Sequence, residues 1–153
     1  MSFKTNLINI VLVETSHPGN IGSVARAMKN MGLKNLSLVK PKNFPSGEAN
    51  ALAGNAKDIL ENTLCFDSIK DAIADSTFVY ATSSRNRAIQ WPHLNAEKSA
   101  IQIIHQTNTD KKVSLIFGRE DRGLSNDELN IANYHLEIPA SPEYPVLNLA
   151  MSV

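Results

Sequence analysis

At 153 residues the chain can bury roughly 70% of its unfolded surface without disulfides or metals, so 1–153 is expected to form a single domain. Fifteen Lys and Arg against fifteen Asp and Glu leave no formal net charge, which excludes a generic nucleic-acid coat held by bulk attraction to phosphate. The lone Cys65 excludes an internal disulfide, and His17, His93, His105 and His135 lack ligand spacing, so no metal is expected.

Leu7 to Val13 is an apolar run interrupted by Asn9 and closed by Glu14. It is too short to span a bilayer and has no signal-peptide pattern, which predicts a cytoplasmic protein with no membrane contact. Ile8 to Val13 reads as the first strand. After the loop Glu14-Thr-Ser-His-Pro-Gly19, Asn20 can cap a helix whose apolar positions Ile21, Val24, Ala25, Met28 and Met31 recur at helical spacing and face the core. Gly22, Arg26 and Lys29 then share the open face. The missing side chain at Gly22 would clear a path for a substrate lying against the Arg26 guanidinium. Gly32 is the expected C-cap. The GNIG sequence lacks GxGxxG spacing, so no dinucleotide cofactor is expected.

Leu36 to Val39 is the second predicted strand, and Gly47 to Leu60 is helical with a break near Gly54. A short strand follows over Leu64 to Phe66, then a helix capped by Asp67 that runs to about Ala74. Phe78 to Thr82 is the next strand, ending in Thr82-Ser-Ser-Arg-Asn-Arg87. Trp91 can stack on a base or anchor the loop beside Pro92. Asn95 to about Gln106 reads as a helix with Ala96, Ala100, Ile103 and Ile104 inward. Val113 to Phe117 is a buried strand that stops at Gly118, where a backbone can pass close to a ligand. Ser125-Asn-Asp-Glu128 has capping-box spacing and predicts a helix from Ser125 to about Asn133. Tyr134 to Ile138 is then a strand, and three prolines exclude regular structure from Pro139 to Pro145. Six strands alternating with helices predict an α/β fold, a mainly parallel sheet with helices on both faces. Ligands in such sheets sit outside the carboxyl ends of the strands.

Four stretches carry more than fold. NIGSVAR fits the pattern NxGxxxR, FGREDRGL fits FGxExxGL, and Ile138-Pro139 and Leu147-Asn-Leu-Ala150 follow. Together they resemble the signature motifs of the SpoU branch of the SPOUT superfamily, RNA ribose 2′-O-methyltransferases with a knotted S-adenosyl-L-methionine (AdoMet) site. The text LVETSHPGNIGSVARAMKNMGLKNLSLV is similar to a bacterial tRNA subgroup that methylates the ribose of anticodon-loop nucleotide 32.

The resemblance implies a SPOUT-type fold whose segment from Pro139 onward threads a trefoil knot, although knots are nearly absent from proteins generally. It also implies a homodimer acting on tRNA with AdoMet as cofactor. Cofactor contacts would fall on Thr82, Ser83, Ser84, Gly118, Ile138, Pro145, Val146 and Leu147. RNA contacts would fall on Asn20, Gly22, Arg26, Arg85 and Arg87, and catalytic roles on Arg26, Glu120 and Asn148.

Arginine side chains stay protonated at neutral pH, so Arg26 is expected to act as a cation that orients phosphate and eases alkoxide formation rather than as a base. Glu120 can accept a proton or fix a loop, and Asn148 can position backbone or substrate. Val146 stands where the family usually has serine, which removes a hydroxyl. The chain also stops barely two turns into a helix that the family continues, the expectation for a domain without a C-terminal helical extension. The alternatives are a ribosomal RNA 2′-O-methyltransferase and a non-catalytic RNA-binding or dimerisation module with the same fold.

Overall fold

The computed structural model describes residues 4–83, 93–138 and 149–153. Its centre is a parallel sheet of β1 (Ile8–Val13), β2 (Asn35–Val39), β3 (Leu64–Phe66), β4 (Phe78–Ser83), β5 (His93–Asn95), β6 (Val113–Phe117) and β7 (Tyr134–Glu137). The strand order is β3-β2-β1-β6-β4-β7-β5, and every pairing of neighbours is parallel. The predicted alternation is thus present, with β5 as a seventh strand. Three residues are too few for a period-2 pattern to register, and of them only Asn95 falls in an element expected from sequence, as a helix start.

Successive residues of a strand point to opposite faces, and β1 shows this directly. Ile8, Ile10 and Leu12 join one apolar cluster, Val11 and Val13 the other. The first cluster lies beneath α1 (Pro18–Asn30), α2 (Gly47–Ala53), α3 (Lys57–Glu61) and α7 (Leu149–Ser152), with Ile103 of α5 (Ala96–Asn108). The second is covered by α4 (Ile69–Ala72) and α6 (Asn126–Leu129). Both faces of the sheet are therefore buried, as a parallel sheet requires.

α1 starts at Pro18, whose fixed φ suits a first helical turn. The N-cap position is His17, so Asn20 is not the cap; its side chain is used elsewhere. At the other end Gly32 adopts φ +76° and Leu33 N–H donates to the Met28 carbonyl at 2.8 Å, a Schellman closure. Ile21, Val24, Ala25 and Met28 are buried as expected, but Met31, placed in the core by periodicity, is 76% exposed because the helix has already ended.

Other elements differ from expectation for local reasons. Ser68, not Asp67, caps α4, its hydroxyl accepting from Asp71 N–H at 3.1 Å. Asn95, expected as the first helical residue, caps α5 instead, its side-chain oxygen accepting from Lys98 N–H; Ile103 faces inward as expected, with Ser99, Gln106 and Thr107, while Ala96 and Ala100 are exposed. Gln106 faces inward because its side-chain carbonyl accepts from the buried Tyr80 hydroxyl at 2.9 Å. The capping box at Ser125 is complete in both directions, but α6 stops at Leu129 rather than Asn133. Asn133 is held by β4 instead, donating its N–H to the Val79 carbonyl and accepting from Val79 N–H with its side chain, both at 2.8 Å. Of the segment expected to thread a knot, Pro139 onward, residues 139–148 lie outside the described residues.

The Gly22 expectation is overturned by the packing of α1. Gly22 is buried, and a Cβ built there would lie 2.1 Å from the Ala49 carbonyl oxygen and 3.0 Å from Ala53 N. The missing side chain lets α2 approach α1 rather than opening a substrate path. A backbone carbonyl cannot swing aside as a side-chain tip can. Gly22→Ala is therefore expected to force the helices apart and destabilise the fold by about 1–3 kcal/mol, the usual range for overpacking. Urea unfolding of both proteins measures this, and equal midpoints would contradict the close contact.

Candidate functional site

All strands run the same way, so the ends of β1, β6, β4 and β7 open onto one edge of the sheet, and these four are consecutive neighbours. Ala81 pairs with Ile116, and Ser83 with Glu137. Extending the register two residues beyond Ile116 brings Gly118 level with Ser83, and Ile138 follows Glu137. Thr82, Ser83, Gly118 and Ile138, expected to meet a cofactor, are thus brought together at the carboxyl edge. The Thr82 hydroxyl donates to the Ile116 carbonyl at 3.1 Å, which ties β4 to β6 at this level. Ser84, Arg85, Arg87, Pro145, Val146, Leu147 and Asn148, with Trp91, lie outside the described residues.

Gly118 needs its small size for a reason the sequence did not reveal. Arg119 and Gly123 exchange two backbone hydrogen bonds, Gly123 N–H to Arg119 carbonyl at 2.8 Å and the reverse at 3.2 Å. Gly123, at φ +65°, turns this loop so tightly that a Cβ on Gly118 would lie 2.3 Å from Gly123 C and 2.5 Å from Leu124 N. The backbone that passes close to Gly118 is the chain's own.

Glu120, on the same loop, reaches across to the β1–α1 loop. Its carboxylate accepts from Ser16 N–H and His17 N–H at 3.2 Å, from the Ser16 hydroxyl at 3.1 Å and from the Asn20 side-chain amide at 3.0 Å. Burial works to raise its pKa, but the bonds from Asn20, His17 and Ser16 outweigh burial and hold the carboxyl below its usual value. A carboxylate with these donors already aimed at it is a poor proton acceptor and a good anchor. The loop-fixing role is therefore the one this geometry supports, and Asn20 is engaged with Glu120 rather than standing free.

The preceding residue, Arg119, makes a second bridge. Its guanidinium pairs with Glu128 through two N–H···O bonds of 2.7 and 3.0 Å and also pairs with Glu14 at the end of β1. Hydrogen bonds donated to Glu128 and Glu14 raise the arginine's pKa against the opposing effect of burial. Burial also pushes up on Glu128, yet Arg119 and the Ser125 N–H leave it lowered. Glu14 and Arg119 were not singled out in the sequence. The β1–β6 register, with Leu12 beside Phe117, makes them neighbours two residues further on.

Arg26 stands on the exposed side of α1 and makes no ion pair or hydrogen bond with any described residue. No group of three or more His, Cys, Asp and Glu suited to a metal occurs among the described residues. No helix among them is long and apolar enough to cross a membrane.

Residues 7–153 match the SpoU rRNA Methylase family. The chain is 47% identical over 146 residues to the tRNA (cytidine/uridine/adenosine-2′-O-)-methyltransferase TrmJ of Pseudomonas aeruginosa, covering 95% of this chain and 57% of that protein. It is 49% identical to the tRNA (cytidine/uridine-2′-O-)-methyltransferase TrmJ of Citrobacter koseri, covering 60% of its length. The chain therefore spans somewhat more than half of these curated relatives. Among solved structures, a probable methylase family protein from Haemophilus influenzae Rd KW20 superposes with a TM-score of 0.89 at 44% identity, covering 95% of this chain and 61% of that one. TrmJ from Z. mobilis ZM4 gives 0.89 at 36% identity, covering 94% and 63%.

The Glu120 anchor has a pH signature. Its folded carboxyl titrates below the unfolded value of about 4.3, so its contribution is complete above that pH and fades as pH falls through the lower folded pKa. Glu120→Gln should cost about 1–3 kcal/mol at pH 7, because an amide cannot match all of the donors. The gap from wild type should narrow below about pH 4.3. Urea titrations across that range measure it, and a pH-independent gap would remove the charged anchor.

Proposed function

Because the chain belongs to the SpoU rRNA Methylase family, we propose that it is the catalytic domain of an AdoMet-dependent methyltransferase that modifies the ribose 2′-OH of tRNA, at nucleotide 32 of the anticodon loop. The observation that carries this reading is the union of two motifs at one sheet edge. Glu120 of FGREDRGL holds Asn20 of NIGSVAR at 3.0 Å, six residues before an uncommitted cation, Arg26. The choice of tRNA over ribosomal RNA follows the names of the relatives that share about half of its residues. A non-catalytic module has no need of a free, exposed arginine on the helix that the second motif anchors.

AdoMet suits the chemistry of the carboxyl edge, which offers main-chain groups at the ends of β4, β6 and β7 and the apolar side chain of Ile138. Thr82, Ser83, Gly118 and Ile138 would hold it, together with Ser84, Pro145, Val146 and Leu147. When bound it supplies the methyl group. The chain's own work is to hold the ribose hydroxyl in line and to stabilise the oxygen as its proton leaves. A guanidinium is charged at neutral pH, so Arg26 holds the neighbouring phosphate and offsets negative charge on the 2′-oxygen. Arg85 and Arg87 extend the RNA contact, and Asn148 positions backbone or substrate.

Two copies would pair as a homodimer in the cytoplasm. In support of pairing, α7 packs against α1 yet leaves Met151 76% exposed.

Methylation of total tRNA, with mapping of the modified ribose, tests the reading. AdoMet at 100 times its dissociation constant should stabilise the protein by roughly 2.7 kcal/mol. No thermal shift at millimolar AdoMet would sink the cofactor assignment. Arg26→Ala should leave stability unchanged, since the side chain is exposed, and should lower single-turnover methylation by about 10²–10³. AdoMet affinity should stay within a few-fold. Normal turnover, or a defect confined to AdoMet binding, would show that Arg26 is not the catalytic cation.

A further inference from the structure

Two consecutive residues of the β6–α6 loop grip the β1–α1 loop in different ways. Glu120 takes the amides of Ser16 and His17 and the Asn20 side chain. Arg119 ties Glu14, the first residue of that loop, to Glu128 of the capping box on α6. The Arg119 side chain is only 16% exposed, and Glu128 is 17% exposed, so solvent screens their pairing little. Glu14 itself is turned out of the strand at φ +48°, and its N–H is fixed by the Val39 carbonyl at 2.8 Å. The guanidinium therefore joins three elements, β1, β6 and α6, at the edge where the proposed cofactor and RNA positions meet.

We propose that Arg119 is a positioning residue for methyl transfer, holding the helix that carries Arg26 in fixed relation to the Gly118 loop. The inference rests on the methyltransferase reading above. A fork with two carboxylate partners suits this task, because it sets direction as well as distance between the two loops. Since the bridge joins the loop that leads into the helix of Arg26 to the residue beside Gly118, its loss should misalign the two ligands without emptying either subsite. Misplacement by about 1 Å can cost 10²-fold in rate.

The experiment measures single-turnover methylation of tRNA with both ligands saturating, alongside dissociation constants for AdoMet and tRNA. Each variant is assayed well below its own melting temperature. Arg119→Ala is expected to lower the rate about tenfold to a hundredfold, with both dissociation constants within threefold of wild type. Glu14→Ala should give a similar loss, and the double variant should be no slower than the worse single, because both remove one bridge. Arg119→Lys should recover part of the rate, since an ammonium can satisfy only one carboxylate well.

A rate within threefold of wild type in Arg119→Ala would overturn the inference. So would independent, multiplying losses in the double variant, or a defect that lies wholly in AdoMet binding. If Arg119→Ala does not fold, Glu14→Ala decides by the same thresholds. Wild-type protein that methylates no tRNA would sink the function itself, an outcome separate from an active wild type with an equally active Arg119→Ala.

Discussion

The insertion of β6 between β1 and β4 governs everything at the carboxyl edge. β1 and β6 pair from Ile8 and Val113 to Leu12 and Phe117, and the register carries on past the last ladder bonds into the loops. Glu14 comes beside Arg119, and Ser16 and His17 come within reach of Glu120. This register is strongly specified because the sheet is buried on both faces. A slip of one residue would exchange Ile10 and Leu12 with Val11 and Val13 between two different apolar clusters.

On this frame, glycines that look like openings for ligands turn out to be places where backbone meets backbone. Gly22 admits the Ala49 carbonyl of α2, and Gly118 admits the Gly123 to Leu124 turn of its own loop. Both belong to sequence patterns associated with chemistry, yet what they supply is close approach between elements that carry other residues. The same is true of Glu120, whose carboxylate is consumed in holding a loop. Arg26 remains the exposed, unengaged group of the first motif.

The polar groups at the edge are costly to assemble and hence informative. A guanidinium and carboxylates at 16–32% side-chain exposure have given up much of their hydration. A pair of this kind is weak evidence for stability on its own. What it does supply is direction, because Arg119 meets Glu128 through two bonds and Glu14 through a third. Rigid attachment of one strand-end loop to the next is what an in-line transfer between two bound ligands demands.

Sequence alone determined the alternation of strands and helices, the parallel sheet, the capping box at Ser125 and the family to which the chain belongs. These are local facts: periodicity, punctuation and motif spacing are set by residues a few positions apart. It also indicated that the ends of β4, β6 and β7 would share an edge, which follows once all strands run parallel. It misplaced the face of Gly22, the burial of Met31 and, Ile103 apart, the inner stripe of α5. Those depend on where α2 lands, on the helix ending at Gly32, and on Gln106 finding the Tyr80 hydroxyl. The bridges from Arg119 to Glu14 and from Glu120 to Ser16 and Asn20 join residues about a hundred positions apart. Only tertiary structure could decide them, because no local pattern says that the sixth strand lies beside the first.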